Sequence, residues 1–236
     1  MAKDVIIACD MPDRESVMGF LGRFGGEQPW VKIGMELFYA EGPSIVREIK
    51  ERGFHIFLDL KLCDIPNTVR GAMRSLRGLG ADIINLHAFG TADMMRAAVE
   101  GLTDENGERE TKLIAVTILT STSEETLHRE VLIERPLAEA CIAYAENAKA
   151  AGLDGVVCSP LESPVIHERC GEGFLTVTPG VRFAGGEKGD QVRVTTPAKA
   201  RELGSDYIVM GRPITGAADP VEAWRRARAE FLGGNA

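Results

Sequence analysis

Asp59, Lys61 and Asp64 stand close together in the run Phe57-Leu58-Asp59-Leu60-Lys61-Leu62-Cys63-Asp64-Ile65-Pro66-Asn67-Thr68. The run opens as an apolar segment from His55 to Leu60 that predicts a buried strand. Side chains at i and i+2 of a strand share a face, so Asp59 and Lys61 are expected to be neighbours. Asp64 arrives where the strand should give way to a helix. Neighbouring carboxylates keep an ammonium charged, and the ammonium limits their mutual repulsion. A lysine held in that way is a positioned proton donor. A plainer reading makes Asp59 and Lys61 a structural ion pair and Asp64 an N-cap. Three alternating charges at the carboxyl end of one strand favour chemistry over that reading.

Other strand ends carry polar groups of their own. The first ends at Asp10, which could also cap the following helix. The second holds Lys32 inside Val31-Lys32-Ile33-Gly34, a cation that must either snorkel out or face a carboxylate. After the fifth comes Leu119-Thr120-Ser121-Thr122-Ser123, able to hydrogen-bond a ligand or simply to cap a helix. The seventh runs into a glycine-rich loop, Pro179 through Arg182 to Gln191, expected to act as a lid. The eighth ends in Gly211-Arg212, where the glycine lets a backbone N–H approach an anion and the guanidinium can grip it bidentately. Lys32, Asp59, Lys61 and Asp64 thus form one end of a candidate site, and Arg182, Gln191, Gly211 and Arg212 an anion-binding end.

Strands are predicted at Val5–Cys9, Trp30–Ile33, His55–Leu60, Asp82–Leu86, Leu113–Ile118, Gly155–Cys158, Phe174–Thr178 and Tyr207–Met210. Amphipathic segments alternate with them. Asp13 is expected to cap the first helix, Pro43 to open the second, and Thr122 with Glu125 to form a capping box. Leu137–Ala150 reads as a long helix, and Thr196-Pro197 and Asp219-Pro220 open the last two. Ile65, Val69, Ala72, Met73, Leu76 and Leu79 form the apolar stripe of the helix after the third strand, with Pro66 in its first turn. Eight β-then-α units predict a (β/α)₈ TIM barrel, a single α/β domain over residues 1–236. An open doubly wound sheet would normally show a glycine-rich dinucleotide fingerprint, and Ala8-Cys9-Asp10-Met11-Pro12 has none. Active sites of such barrels lie at the carboxyl ends of the strands, with phosphate often held after strands seven and eight.

Over 236 residues the net charge is −8, with 44% hydrophobic and 26% charged residues. That balance argues against a nucleic-acid or anionic-membrane binder and requires a local positive patch for any anionic substrate. No apolar run has the length of a membrane span, and Met1-Ala2-Lys3-Asp4 does not start a signal peptide. The five cysteines contain no Cys-x-x-Cys pair and are expected as reduced thiols in a cytoplasmic protein. The four histidines have no ligand spacing. No metal site is expected.

The run Asp59 to Thr68 resembles the signature of the orotidine 5′-phosphate decarboxylase family. Val31–Phe38, Leu119–Ser123, Val177–Arg182 and Val209–Thr215 are similar to its bacterial form. The resemblance implies decarboxylation of orotidine monophosphate to uridine monophosphate, the last step of de novo pyrimidine synthesis, without cofactor or metal. It implies that Lys61 protonates C6 of the pyrimidine, that Asp59 and Asp64 flank the substrate carboxylate, and that Lys32 completes the charge network. By the same resemblance Asp10 and Lys32 contact the ribose, Thr120 and Ser121 read the base, and Pro179 lines the site. Arg182, Gln191, Gly211 and Arg212 hold the phosphate. A homodimer is implied, with Asp64 and Thr68 acting on the partner's substrate. Magnesium-using hexulose-phosphate synthases and sugar-phosphate decarboxylases share an Asp-x-Lys-x-x-Asp motif, but carry a metal-binding glutamate where Lys32 stands here. A barrel that only binds a phosphorylated ligand would have little use for converging charges.

Overall fold

Eight strands alternate with helices, and in a computed structural model describing residues 3–185 and 194–234 they close on themselves. The strands are β1 Asp4–Ala8, β2 Trp30–Gly34, β3 His55–Leu62, β4 Ile83–His87, β5 Lys112–Val116, β6 Gly155–Val157, β7 Leu175–Thr178 and β8 Tyr207–Met210. All neighbours are parallel, and β1 pairs with β8 to complete the barrel. The helices are α1 Arg14–Gly22, α2 Met35–Glu41, α3 Pro43–Glu51, α4 Pro66–Arg77, α5 Thr91–Leu102 and α6 Glu124–Arg129. They continue with α7 Leu137–Ala150, α8 Ser163–Cys170, α9 Pro197–Glu202, α10 Arg212–Thr215 and α11 Pro220–Leu232.

Strand alternation sorts the side chains into two cores. Ile6, Ala8, Phe57, Ile83, Ile114, Leu175, Val177, Tyr207 and Val209 meet inside the barrel. Val5, Ile7, Ile56, Leu58, Ile84, Leu113, Ile208 and Met210 face outward into the helical layer. Each fully buried Ile, Leu or Val contributes about 1.5–3 kcal/mol relative to exposure, so a one-residue register slip would expose a whole set. On the inner face, two residues beyond Ala8, Trp30, Phe57 and Ile83, stand Asp10, Lys32, Asp59 and Asn85. The same alternation that builds the apolar interior therefore lifts a polar layer to the barrel's carboxyl end.

Most expected element ends hold within a residue, and the exceptions are local. β3 continues past Leu60 to Leu62 because pairing with β4 resumes at Leu62–Leu86 after an irregularity. β5 stops at Val116 rather than Ile118. Asp13 caps α1, accepting from Ser16 N, and Thr196 and Asp219 cap α9 and α11. Ser123, not Thr122, caps α6, its hydroxyl accepting from Thr126 N at 3.1 Å. Pro43 opens α3 rather than the second helix, because the Met35–Glu41 segment forms its own short helix ending at Gly42. In α4 the stripe Val69, Met73 and Leu76 is buried, but Ile65 before it is 68% exposed.

Candidate active site

A continuous chain of charge crosses the carboxyl mouth of the barrel. Lys32 Nζ lies 2.7 Å from Asp10 Oδ1 and 3.3 Å from Asp59 Oδ2. Asp59 Oδ1 in turn lies 2.6 Å from Lys61 Nζ. The Lys32 and Asp59 side chains are each only 11% exposed, whereas that of Lys61 is 25% exposed and that of Asp10 56%. Burial by itself pushes the Asp59 carboxyl up, but the ammonium groups of Lys32 and Lys61 outweigh it and hold the group below its ordinary value. Burial likewise works against the Lys32 charge, and Asp59 and Asp10 more than restore it, so Lys32 is raised. Both therefore stay ionised at neutral pH, as a buried pair with well-placed partners can.

Lys61 reaches Asp59 by a route that simple alternation does not provide. Its backbone is left-handed, with φ +52°, a conformation that costs a non-glycine residue about 1–2 kcal/mol. It lies within the irregular part of the β3–β4 ladder, between the pairs Leu58–Ile84 and Leu62–Leu86. Bulges of this kind re-aim side chains beside active sites. The expected contact is present, made through a bulge rather than a regular strand.

Two adjoining spaces open onto this array. A cavity of about 180 Å³ is lined by Lys32, Asp59, Lys61, Thr120, Ser121 and Pro179, over an apolar floor that includes Phe57 and Val209. A wider recess of about 660 Å³ is lined by Asp10, Lys32, Pro179, Arg182, Gly211 and Arg212. Lys32, Pro179 and Val209 border both spaces, so an elongated ligand could place one end at the charged array and an anionic end between the arginines. Arg182 is set by the paired stems of its loop, where Arg182 N donates to Thr195 O at 2.9 Å and Thr195 N to Gly180 O at 3.2 Å. A Cβ at Gly211 would meet only Ala8, at 3.5 Å, so packing alone does not demand glycine there.

Asp10, Lys32, Asp59, Lys61, Thr120, Ser121, Pro179, Arg182, Gly211 and Arg212 are thus brought to one mouth. Gln191, with the part of the expected lid after Gly185, lies outside the described residues. Asp64 and Thr68 are exposed and stand apart. Among the described residues no ion pair joins Asp64 to Lys61; the Asp64 carboxylate accepts from Ile65 N at 2.6 Å, and the N-cap of α4 is Ile65. The second charged neighbour of Asp59 is Lys32, so within this chain the expectation of a lysine pinned between Asp59 and Asp64 is corrected to a carboxylate pinned between two lysines. Asp10 does not cap α1, a task left to Asp13.

Three residues escaped the sequence reading. Gly34 leaves room for the Asp10–Lys32 contact, because a Cβ there would stand 2.8 Å from Asp10 Oδ1 and 3.1 Å from Lys32 Nζ and would push those side-chain ends aside. Asn85, fully buried, donates from Nδ2 to Asp59 Oδ1 at 2.6 Å. His87 ends β4, and burial followed by the Lys61 charge lowers its pKa, keeping the ring neutral near pH 7. A polar residue between Ile84 and Leu86 was the available signal for Asn85.

Converging lysines and carboxylates at the carboxyl end of a closed parallel barrel, next to an arginine-lined recess, stand where (β/α)₈-barrel enzymes carry their active sites. The chain belongs to the Orotidine 5′-phosphate decarboxylase / HUMPS family, whose model matches residues 3–227. It is 54% identical over 237 residues to orotidine 5′-phosphate decarboxylase of Bacillus cereus (strain Q1), covering 99% of each protein. The crystal structure of orotidine 5′-phosphate decarboxylase from Lactobacillus acidophilus is similar at TM-score 0.86 and 41% identity, over 97% of this chain and 99% of that one. That of the Pyrococcus horikoshii OT3 enzyme is similar at TM-score 0.75 and 27% identity, with the same coverage.

Proposed function

We propose that this chain converts orotidine 5′-monophosphate to uridine 5′-monophosphate and carbon dioxide, the last step of de novo pyrimidine synthesis, without metal or cofactor. The observation that carries the reading is the Lys61 ammonium, 2.6 Å from Asp59 at the rim of a cavity that continues into an arginine-lined recess.

In this reading Arg182, Gln191, Gly211 and Arg212 hold the phosphate, and Asp10 and Lys32 the ribose. Thr120, Ser121 and Pro179 bound the base, so that C6 and its carboxylate face Asp59 and Lys61. When the C6–carboxylate bond breaks, carbon dioxide departs and the electron pair stays on C6. No carbonyl is placed to delocalise that pair, so the charge must be stabilised in place by a preorganised cation. Lys61 Nζ supplies the cation and then the proton, forming the C6–H bond and becoming a neutral amine, which solvent reprotonates. Asp59 adds a repulsion against the substrate carboxylate that vanishes as carbon dioxide leaves. At 4 Å and an effective dielectric near 20 this is worth about 4 kcal/mol. Enzymes remove about 8–23 kcal/mol or more from a barrier, so the larger share falls to Lys61 and the preformed array. Lys32 keeps Asp59 ionised beside an anion that would otherwise favour its protonation.

One barrel domain over residues 1–236 acts as half of a homodimer, with Asp64 and Thr68 acting on the partner's substrate. Support comes from the exposure of both residues and from exposed Met35, Tyr39, Ile65 and Phe89 on the neighbouring loops and helix. Such an apolar rim suits an interface. The metal-dependent reading is disfavoured by Lys32, whose ammonium already neutralises Asp10 and Asp59 where a cation would have to sit. The test is to follow the fall in orotidine monophosphate absorbance with the purified chain in excess chelator. Turnover there supports the reading. Activity present only with added magnesium would overturn its metal-free part, and no turnover with or without magnesium would overturn it entirely.

A further inference from the structure

Asn85 is a buried polar group that the reaction above leaves unused. Between the pairs Leu58–Ile84 and Leu62–Leu86, β3 carries three residues (59, 60 and 61) and β4 carries only Asn85. Regular ladder bonds cannot serve two extra residues. The Asn85 side chain takes up the mismatch. Its Oδ1 accepts from the backbone N–H of Lys61 at 2.8 Å, and its Nδ2 donates to Asp59 Oδ1 at 2.6 Å. Only one amide orientation fits, because a backbone N–H only donates and an ionised carboxylate only accepts.

These two bonds reach both ends of the catalytic pair. One fixes the left-handed backbone from which the Lys61 side chain departs. The other holds the Asp59 oxygen that also takes Lys61 Nζ, while the second Asp59 oxygen faces Lys32. With both oxygens engaged, the carboxylate cannot rotate without breaking a bond.

We infer that Asn85 is a positioning residue for the decarboxylation proposed above: its amide bridges the β3 bulge and aims the Lys61 ammonium and the Asp59 carboxylate at the reacting carbon. Fully buried and not among the residues lining either space at the mouth, it acts through the two residues it holds. The inference rests on the proposed reaction.

The test compares the full-length parent with Asn85→Ala, Asn85→Asp and Asn85→Ser. For each, kcat and KM for orotidine monophosphate, equilibrium affinity for uridine monophosphate, and melting temperature are measured. Small displacements of catalytic groups cost about 100-fold, so kcat of Asn85→Ala should fall by about that factor while affinity for the product nucleotide stays within about threefold. Asn85→Asp keeps the acceptor for Lys61 N but sets a carboxylate against Asp59, and it should fall at least as far. Asn85→Ser retains one short hydroxyl and should recover part of the loss. A kcat within about twofold of the parent in the alanine variant, or losses in kcat and product affinity of equal size, would overturn the inference. If the alanine variant does not fold, the aspartate and serine variants carry the same comparison. A parent without decarboxylase activity would instead sink the proposed reaction, so the two failures are distinguishable.

Discussion

Replacing Lys61 by alanine and, separately, by glycine separates its charge from its backbone. Both substitutions remove the ammonium that lies 2.6 Å from Asp59. An ammonium about 3 Å from a carbanion, at an effective dielectric near 20, attracts it by about 5.5 kcal/mol. That is about four powers of ten in rate, before the loss of the proton donor is counted. Turnover of either variant should therefore fall at least about 10⁴-fold in the absorbance assay. Stability should behave differently. Asp59 retains Lys32 at 3.3 Å and Asn85 at 2.6 Å, so neither variant strands a buried charge and both should fold. At φ +52° glycine is relieved of the strain that alanine keeps, about 1 kcal/mol. The glycine variant should accordingly melt about 2–4 °C above the alanine variant in a chain of this size. Retention of more than about 1% of parent turnover by Lys61→Ala would refute the electrostatic argument. Equal melting temperatures would refute the claim of a strained backbone.

Arg212→Ala should weaken uridine monophosphate far more than uridine, measured by calorimetry, and equal losses would remove Arg212 from the phosphate end. Mixing Lys61→Ala with Asp64→Ala subunits should recover activity, since in the proposed shared-site dimer one composite site would be intact; no recovery after subunit exchange would argue against shared sites. At the opposite end of the barrel, His167 Nε2 and Asp206 Oδ2 are 3.1 Å apart, and the Asp206 carboxylate also accepts from Thr176 N at 2.8 Å. The hydrogen bond to Asp206 raises the His167 pKa, so its stabilisation is fully present below the unfolded value near 6.5 and is lost as pH rises through the folded value. The melting-temperature advantage of the parent over His167→Gln should thus be largest near pH 6 and shrink toward pH 9, and an advantage that grows with pH would contradict the pairing. Burial raises the Asp206 carboxyl, but its hydrogen bonds to His167 and Thr176 prevail and lower it. Its stabilisation is therefore present above about pH 4 and lost as pH falls through the folded value.

Much of this molecule was legible along the chain because its strands are short, apolar and regularly spaced. Eight β-then-α units made a parallel barrel the economical reading, and a barrel directs attention to strand ends, where Asp10, Lys32, Asp59 and Arg212 stand. Period-two and helical patterns survive in one dimension because each is set by local geometry. Ile65 misled for the same reason: its spacing fits the α4 stripe, but nothing in the spacing says that the stripe begins one turn later. The capping residue of α6 slipped by one because Thr122 and Ser123 offer the same hydroxyl chemistry.

The order of charges at the mouth was decided only in three dimensions. Alternation predicted that Lys61 would meet Asp59, and it does, but through a bulge braced by Asn85 on the next strand. No local pattern encodes that contact, because Asn85 lies 24 residues from Lys61 in sequence. Gly34 matters because Asp10, beyond the end of β1, and Lys32, on β2, converge on the space where its Cβ would be. The types of residue available for chemistry, and the faces they occupy, were therefore set by the amino-acid sequence alone. Which charges neutralise one another depended on barrel closure and register, since Coulomb energies vary with distances between strands that the chain order does not specify.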